Sequence, residues 1–249
     1  MLSVFVFILG TALGSFLNVV IHRLPEGESP LSGRSKCPDC GSTILFYDNI
    51  PIVSFLLLRA RCRHCGGRIS VQYPLVELLC GVILVVNFRL FEDTIIFLHS
   101  SSFLLLLLPM AIIDAKHYLL PNELTIGGFA LGILFSIIGG SISFKHSIIG
   151  SVIGGGFLLA VSMIGSAVMK KEVMGEGDVK MMAMIGAYLG WKSVFLTIFL
   201  GSFLGTLIFG PISLRRKIMV PFGVFLAVGG FVSLYFQNLI LDLYLSLFW

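Results

Sequence analysis

The chain has 249 residues, of which 57% are hydrophobic and only 12% charged, and its mean hydropathy is +1.01. A soluble domain carries about twice that charged fraction, so these values argue against a soluble protein and predict that lipid surrounds most of the chain. The net charge of +4 does not indicate nucleic-acid binding, because no basic run is interleaved with exposed polar sequence.

Apolar runs long enough to cross a bilayer, roughly 20 residues each, predict an all-α integral membrane protein with about eight transmembrane helices. The first run is interpreted as a retained span, because no basic segment before it and no small-residue site after it indicates a cleaved signal peptide. The candidate spans are residues 2–21, 73–91, 95–113, 123–140, 147–169, 178–190, 193–214 and 221–241.

The distribution of Lys and Arg predicts the orientation in the membrane. With the N-terminus outside, all 17 of these residues except Arg89, Lys145 and Lys192 fall in cytoplasmic segments. Because basic loops stay on the cytoplasmic side, this orientation is the one we expect. Eight spans then place the C-terminus outside as well.

The polar segment between the first two spans contains four of the five cysteines, Cys37 with Cys40 and Cys62 with Cys65. Two such pairs are typical of a zinc ribbon, since each tight turn offers two thiolates and two turns complete a tetrahedral Zn²⁺ site. Disulfides and redox-active cysteines are the alternatives, and a reducing cytoplasm disfavours disulfides. We expect a structural zinc ion, because four thiolates leave no open position for a substrate.

The predicted organisation therefore has three parts: a first span at 1–21, a cytoplasmic zinc-ribbon-like insertion at 22–72, and a transmembrane core at 73–249. Inside the insertion, the apolar stretch 52–58 is too short to span a bilayer. It is interpreted as either a small core or an interfacial helix.

Few carboxylates fall within or beside the predicted spans, and each is a functional hypothesis because an ionisable group there is costly. Asp114 ends the third span and Asp178 begins the sixth, so both are expected at the cytoplasmic face. Two facing carboxylates that share a proton can hydrolyse an amide, one activating water and the other polarising the carbonyl. Gly175 and Gly177 would let the backbone of an extended substrate approach closely. The other carboxylates are Glu77, Glu123 and Asp242.

Other interpretations stay open on the residues alone. Each aspartate could be a helix cap or an interfacial anchor, and paired acids in membranes also serve proton-coupled transporters. Transporters often contain internal repeats, and none is evident here. A further alternative is a non-enzymatic assembly platform that docks its partners through the cysteine segment.

Motifs along nearly the whole chain resemble those of one family, the type IV prepilin peptidases, which are leader peptidases and N-methyltransferases of type IV pili and type II secretion. The motifs are Gly14-Ser-Phe-Leu-Asn-Val-Val-Ile-His-Arg-Leu-Pro25, the paired cysteines, Asn49-Ile-Pro51, Leu58-Arg-Ala-Arg-Cys62, Tyr73-Pro-Leu-Val-Glu-Leu78, Ile113-Asp114, Leu119-Leu-Pro121, Gly175-Glu-Gly-Asp178, Gly186-Ala-Tyr-Leu-Gly190 and Pro221-Phe-Gly223.

The resemblance implies that Asp114 and Asp178 are the catalytic pair of a GxGD-type membrane aspartic protease in a bacterial inner membrane. It implies a prepilin or pseudopilin substrate, cut between a glycine and the first residue of its hydrophobic helix. It also implies methylation of the new N-terminus with S-adenosylmethionine as donor. No recognisable motif binds this donor, and none indicates an oligomeric state.

Two residues depart from the family pattern. Asn122 stands where the family commonly has Asp, and Gln72 stands where Arg is usual. Because Asp114 remains, we expect proteolysis to survive these departures. We expect them to affect methylation more than proteolysis.

Three polar residues lie in matching motifs without an assigned chemistry. Asn18 could join helices by a hydrogen bond, and His22 could be an interfacial residue. Glu77 could be a structural acid or take part in methyl transfer.

Overall fold

The computed structural model describes residues 1–213 and 220–248, and within them the chain is helical, with two isolated β-bridges and no longer strand. Its contacts divide the chain into two compact units, Met1–Glu92 and Asp93–Trp249.

The first unit is built on two long helices, α1 (Leu2–Arg23) and α3 (Gln72–Leu90), with the short helix α2 (Val53–Leu57) between them in sequence. The long helices are antiparallel and pack backbone to backbone. A Cβ atom on Gly10 would lie 2.7 Å from Cys80 O, and one on Gly14 would lie 2.6 Å from the Cα of Glu77. Contacts this close require glycine and are typical of helix pairs in membranes.

The second unit contains five helices in the described residues. They are α4 (Thr94–His117), α5 (Asn122–Ile138), α6 (Phe144–Met169), α7 (Glu176–Ser213) and α8 (Phe222–Phe248). Asp93 caps the first of them, accepting hydrogen bonds from the backbone N–H groups of Ile95 and Ile96 at 2.8 and 3.0 Å.

Helix α7 is broken at Gly190, where φ is 78° and ψ is 176°. A Cβ atom on Gly154 of α6 would lie 2.7 Å from Met182 O and 3.2 Å from a methyl carbon of Val194. In an unbroken helix, Val194 would lie twelve positions and about 18 Å beyond Met182. The chain therefore turns back at Gly190, and both halves of α7 pack against α6.

In the part of the chain that the structure describes, six helices are long and apolar enough to cross a membrane, which agrees with an all-helical, multi-pass membrane protein. Helix α5 is shorter, with 17 residues. The break at Gly190 lies at the boundary predicted between the sixth and seventh spans. Each predicted span thus matches a helical segment, and the count of eight crossings stays a prediction.

Two predicted boundaries differ from the observed ones close to the acidic residues. The third span was expected to end at residue 113, but α4 continues to His117 and so includes Asp114. The sixth span was expected to begin at Asp178, but α7 begins at Glu176. Both aspartates therefore lie within the terminal turns of helices.

Candidate active site

Asp114 lies near the C-terminal end of α4, and its side chain is buried. Its Oδ2 accepts a hydrogen bond from the backbone N–H of Val224 at 3.0 Å. Val224 is in the first turn of α8, where unpaired N–H groups and the helix dipole favour a negative charge. A Cβ atom on Gly223 would lie 2.9 Å from the same oxygen, so this close approach requires glycine.

Asp178 is the third residue of α7 and is partly buried. Its backbone N–H donates to Gly175 O at 3.2 Å, across the turn that begins the helix. Because the helix already begins at Glu176, Asp178 is not its N-cap, and the capping interpretation is wrong for this residue. Gly175 itself is exposed, which leaves the backbone beside Asp178 open to another chain.

Leu120, in the connection between α4 and α5, brings the two acidic segments together. Its Cβ lies 2.8 Å from the Cβ position of Gly177, the residue before Asp178. Its Cδ1 lies 3.1 Å from the Cβ position of Gly223, which also faces the Asp114 carboxylate. Leu120 therefore places the segment that holds Asp178 beside the residues that contact Asp114.

This arrangement has the elements of general acid–base chemistry. Two carboxyl groups that repel each other in a poorly solvated site are most stable when they share one proton. One group is then available to accept a proton and the other to donate one.

A lysine in the first turns of α7 contacts the start of α5. Lys180, half a turn after Asp178, donates to Asn122 Oδ1 at 3.1 Å and to the Glu176 carboxylate at 3.2 Å. It therefore connects the first residues of α5 and α7. Asn122, one of the two residues that depart from the family pattern, accepts this hydrogen bond as an amide.

The four cysteines of the first unit form one cluster. The Sγ atoms of Cys37, Cys40, Cys62 and Cys65 lie within 4.8 Å of one another, and all four thiols are free. The Sγ atoms of Cys37 and Cys65 are 3.9 Å apart. Tetrahedral zinc with Zn–S bonds of about 2.3 Å separates its sulfur ligands by about 3.8 Å. The cluster therefore fits the predicted metal, with these four thiolates as its ligands.

The two cysteine turns have the same backbone structure, the second repeating the first 25 residues later, from Cys37 to Cys62. Gly41 N donates to Cys37 O and Gly66 N donates to Cys62 O, both at 2.9 Å. These glycines have φ values of 69° and 70°, which favour glycine.

An ion pair supports the second turn. Arg63, between Cys62 and Cys65, donates to both oxygens of Asp48 at 2.6 to 3.1 Å. Hydrogen bonds from Arg63 lower the pKa of the Asp48 carboxyl below its usual value. The pair therefore joins this turn to the short helix Phe46–Asn49.

Each of the two units contains a match to a known protein family. Residues 8–91 match the Bacterial Peptidase A24 N-terminal domain, and residues 101–210 match the Type IV leader peptidase family. A protein of Aeromonas hydrophila named Prepilin leader peptidase/N-methyltransferase is 35% identical over 271 residues, covering 98% of this chain and 93% of that protein. The chain belongs to the type IV leader peptidase family.

Other relatives carry the same name. The protein of Klebsiella pneumoniae is 39% identical over 204 residues, covering 80% of this chain and 90% of its own length. The protein of Myxococcus xanthus is 39% identical over 206 residues, and the match spans 83% of this chain but only 62% of that protein. No solved structure matches the chain.

The remaining family-motif residues have structural contacts in the first unit. Asn18 donates its amide to Tyr73 O at 3.0 Å, which confirms the expected hydrogen bond between helices. Glu77 accepts a hydrogen bond from the backbone N–H of Ile52 at 2.7 Å, which favours the structural interpretation of this acid. His22 is exposed, 4.0 Å from Glu26.

Two contacts of the leader peptidase site were not expected from the sequence, the Val224 N–H that meets Asp114 and the Leu120 side chain between the acidic segments. The motifs Leu119-Leu-Pro121 and Pro221-Phe-Gly223 were noted as family signatures, which is the signal that could have located both.

Proposed function

We propose that the protein cleaves the leader peptide of type IV prepilins or type II secretion pseudopilins, with Asp114 and Asp178 as its catalytic pair, and methylates the new N-terminus. The observation that supports this proposal is that Leu120 contacts both the residue before Asp178 and Gly223, which lies against the Asp114 carboxylate. Membership of the type IV leader peptidase family supports the choice of substrate.

The proposed hydrolysis begins with one proton shared by the pair. The Val224 N–H and the start of α8 stabilise a negative charge on Asp114, so Asp114 takes the proton from the attacking water. The water oxygen forms a bond to the carbonyl carbon while Asp178 donates its proton to the carbonyl oxygen. The C–N bond then breaks as the leaving amine takes the proton held by Asp114, and a hydroxyl group of the tetrahedral intermediate returns its proton to Asp178 as the new carboxyl group forms.

The substrate would bind as an extended strand beside the exposed Gly175 and the glycine at 177. The exposed Gly175 leaves the backbone just before α7 accessible, whereas the side of Gly177 that a Cβ would occupy is covered by Leu120. The Lys and Arg distribution favours the cytoplasmic face for this rim, with the N-terminus outside and the cysteine insertion in the cytoplasm. The hydrophobic helix of the substrate would remain in the membrane while its leader is removed.

The proposal gives the metal and the methyl donor separate roles. Zinc held by the four cysteines would stabilise the insertion and take no part in hydrolysis, since four thiolates complete its coordination. S-adenosylmethionine is proposed as the methyl donor because the relatives are named N-methyltransferases.

The test is cleavage of a purified prepilin by the full-length protein, followed by mass spectrometry with and without S-adenosylmethionine. Asp114→Asn and Asp178→Asn should each lower the cleavage rate by at least about 10²-fold to 10⁴-fold, because the amide cannot transfer the proton. The double variant should be little slower than either single one, since the two groups act as a unit.

Asp242→Asn provides the matched control, because Asp242 is an exposed carboxylate on α8. This variant should cleave at the wild-type rate. Cleavage near that rate by folded Asp114→Asn or Asp178→Asn protein would rule out the aspartate mechanism. Complete cleavage without any added methyl group would limit the protein to proteolysis.

A further inference from the structure

Helix α2 has its apolar side chains on the outside and its polar one inside. Val53, Leu56 and Leu57 share one face of the helix, at positions i, i+3 and i+4, and are 48%, 67% and 78% exposed. Ser54 is buried and donates its hydroxyl to Tyr47 O at 3.0 Å. A helix facing water has the opposite arrangement.

Two apolar residues that precede α2 are exposed as well. The bond between Ser54 and Tyr47 joins α2 to the short helix Phe46–Asn49, and Phe46 is 82% exposed. Ile50, which follows that short helix, is also exposed. The apolar face of α2, comprising Val53, Leu56 and Leu57, has no protein cover in the described residues.

A hydrogen bond sets the depth of α2 against a membrane-spanning helix. The buried Glu77 of α3 accepts from Ile52 N at 2.7 Å, immediately before α2 begins. Glu77 is about 8 Å along α3 from its first residue, Gln72. The exposed side chains of α3 at this level are Leu75, Leu78 and Leu79, so α2 begins beside an exposed leucine surface of a candidate membrane span.

The backbone at Ile52, immediately before α2, has a strained conformation. Its φ is 62° and ψ is −49°, and Val53 N bonds back to Pro51 O at 2.6 Å. A three-residue turn with positive φ is rare and costly for a β-branched residue. Such a conformation persists only where the surroundings impose it, and the Glu77 bond is one such restraint.

Basic side chains follow the apolar face. Arg59, Arg61 and Arg68 are all exposed, and none forms an ion pair with another residue in the described part of the chain. Apolar side chains beside arginines are the pattern of segments that lie in the interface of an anionic membrane.

We propose that α2 is an interfacial membrane anchor, with its apolar face in the headgroup–acyl boundary of the bilayer that α1 and α3 cross and with lipid phosphates bound by the arginines after it. The anchor would hold the four-cysteine insertion flat on the membrane surface. It requires neither catalytic aspartate and is independent of the proposed peptidase function.

The experiment places a single tryptophan on this face in the full-length protein. Trp191 and Trp249 are replaced by Phe, Leu57 by Trp, and the protein is reconstituted into vesicles of phosphatidylcholine and phosphatidylglycerol. The fluorescence of the Leu57→Trp protein should be blue-shifted, and bromines roughly 5–10 Å below the headgroups should quench it more than bromines near the bilayer centre. Val53→Trp, on the same face, repeats the test should Leu57→Trp fold poorly.

Glu28→Trp is the control, since Glu28 is an exposed residue of the same insertion and is charged. Its emission should be red-shifted and unaffected by brominated lipid. Equal quenching at both positions, or none at either, would overturn the proposal. Blue-shifted emission from the Leu57→Trp protein that brominated lipid does not quench would also overturn it, because a protein, such as a second copy, would then cover the face.

The lipid phosphates are tested separately. Arg59→Gln with Arg61→Gln in the Leu57→Trp protein should weaken quenching in vesicles that contain phosphatidylglycerol, and should have little effect in phosphatidylcholine alone. Equal quenching by both proteins in both vesicle types would contradict the role of the arginines.

Discussion

The carboxylate of Asp114 on α4 accepts its hydrogen bond from Val224 on α8, a residue 110 positions later in the chain. The first turn of α8 thus fixes the orientation of the acid, and Gly223 makes this possible because it has no side chain between them. This contact restricts position 223 to glycine, and a substitution there can test the restriction.

Gly223→Ala should lower prepilin cleavage by about 10-fold to 10²-fold without preventing folding, because small displacements of a catalytic group have effects of this size. The new Cβ would lie 2.9 Å from Asp114 Oδ2 and 3.1 Å from Leu120 Cδ1, so the carboxylate must move. Gly127→Ala on α5 is the control, since a Cβ there meets nothing within 4 Å. Equal rates for the two variants would show that the contact does not position the acid.

Removal of the cysteine ligands should destabilise the insertion without changing the chemistry of hydrolysis. Wild-type protein purified without chelator should contain about one zinc ion per chain, and Cys37→Ser with Cys40→Ser should contain much less. Proteolysis within the insertion should increase in the variant, because metal binding is coupled to folding of the loop. Cys80→Ser, outside the cluster, should keep its zinc. Metal analysis that finds no zinc in the wild-type protein would refute the assignment.

Asp48→Asn should weaken metal retention by a few-fold in a chelator competition assay, because the Arg63 turn between two ligands loses its charged partner. The pKa of Asp48 is lowered by Arg63, so its contribution to stability exists above about pH 4 and disappears as the pH falls through the folded-state pKa. The difference in protease resistance between the zinc-free wild-type and variant insertions should therefore vanish in acid; zinc retention cannot report this, because the thiolates of both proteins are protonated there. A constant difference down to low pH would contradict this explanation.

Gly190→Ala should destabilise the protein by about 1–3 kcal/mol, because φ 78° with ψ 176° is a backbone region used almost solely by glycine. Thermal unfolding of the purified protein measures the loss. Gly156→Ala on α6 is the matched control, as its Cβ would meet nothing within 4 Å. The same melting temperature for both variants would mean that the reversal tolerates a side chain.

The sequence singled out the acids and the cysteines because both types are conspicuous on their background. A carboxylate in an apolar run and two Cys-x-x-Cys pairs stand out without any knowledge of tertiary structure. Helix α4 ends four residues after the predicted end of the third span. The polar residues Lys116 and His117 suggested the edge of the membrane, but a helix can continue there and extend such side chains into water. The Val224 contact depends on helix packing, which no local pattern encodes.

The reversal at Gly190 also affects how the protein could enter its membrane. If each half of α7 crosses the bilayer, the two halves can insert together as a pair, so that neither half must be stable in lipid alone. Only the short bend would then have to be translocated, and its one charged side chain is Lys192. Moving a single cation across the bilayer costs far less free energy than moving a folded loop. The short bend at Gly190 therefore keeps the free-energy cost of inserting the two halves low.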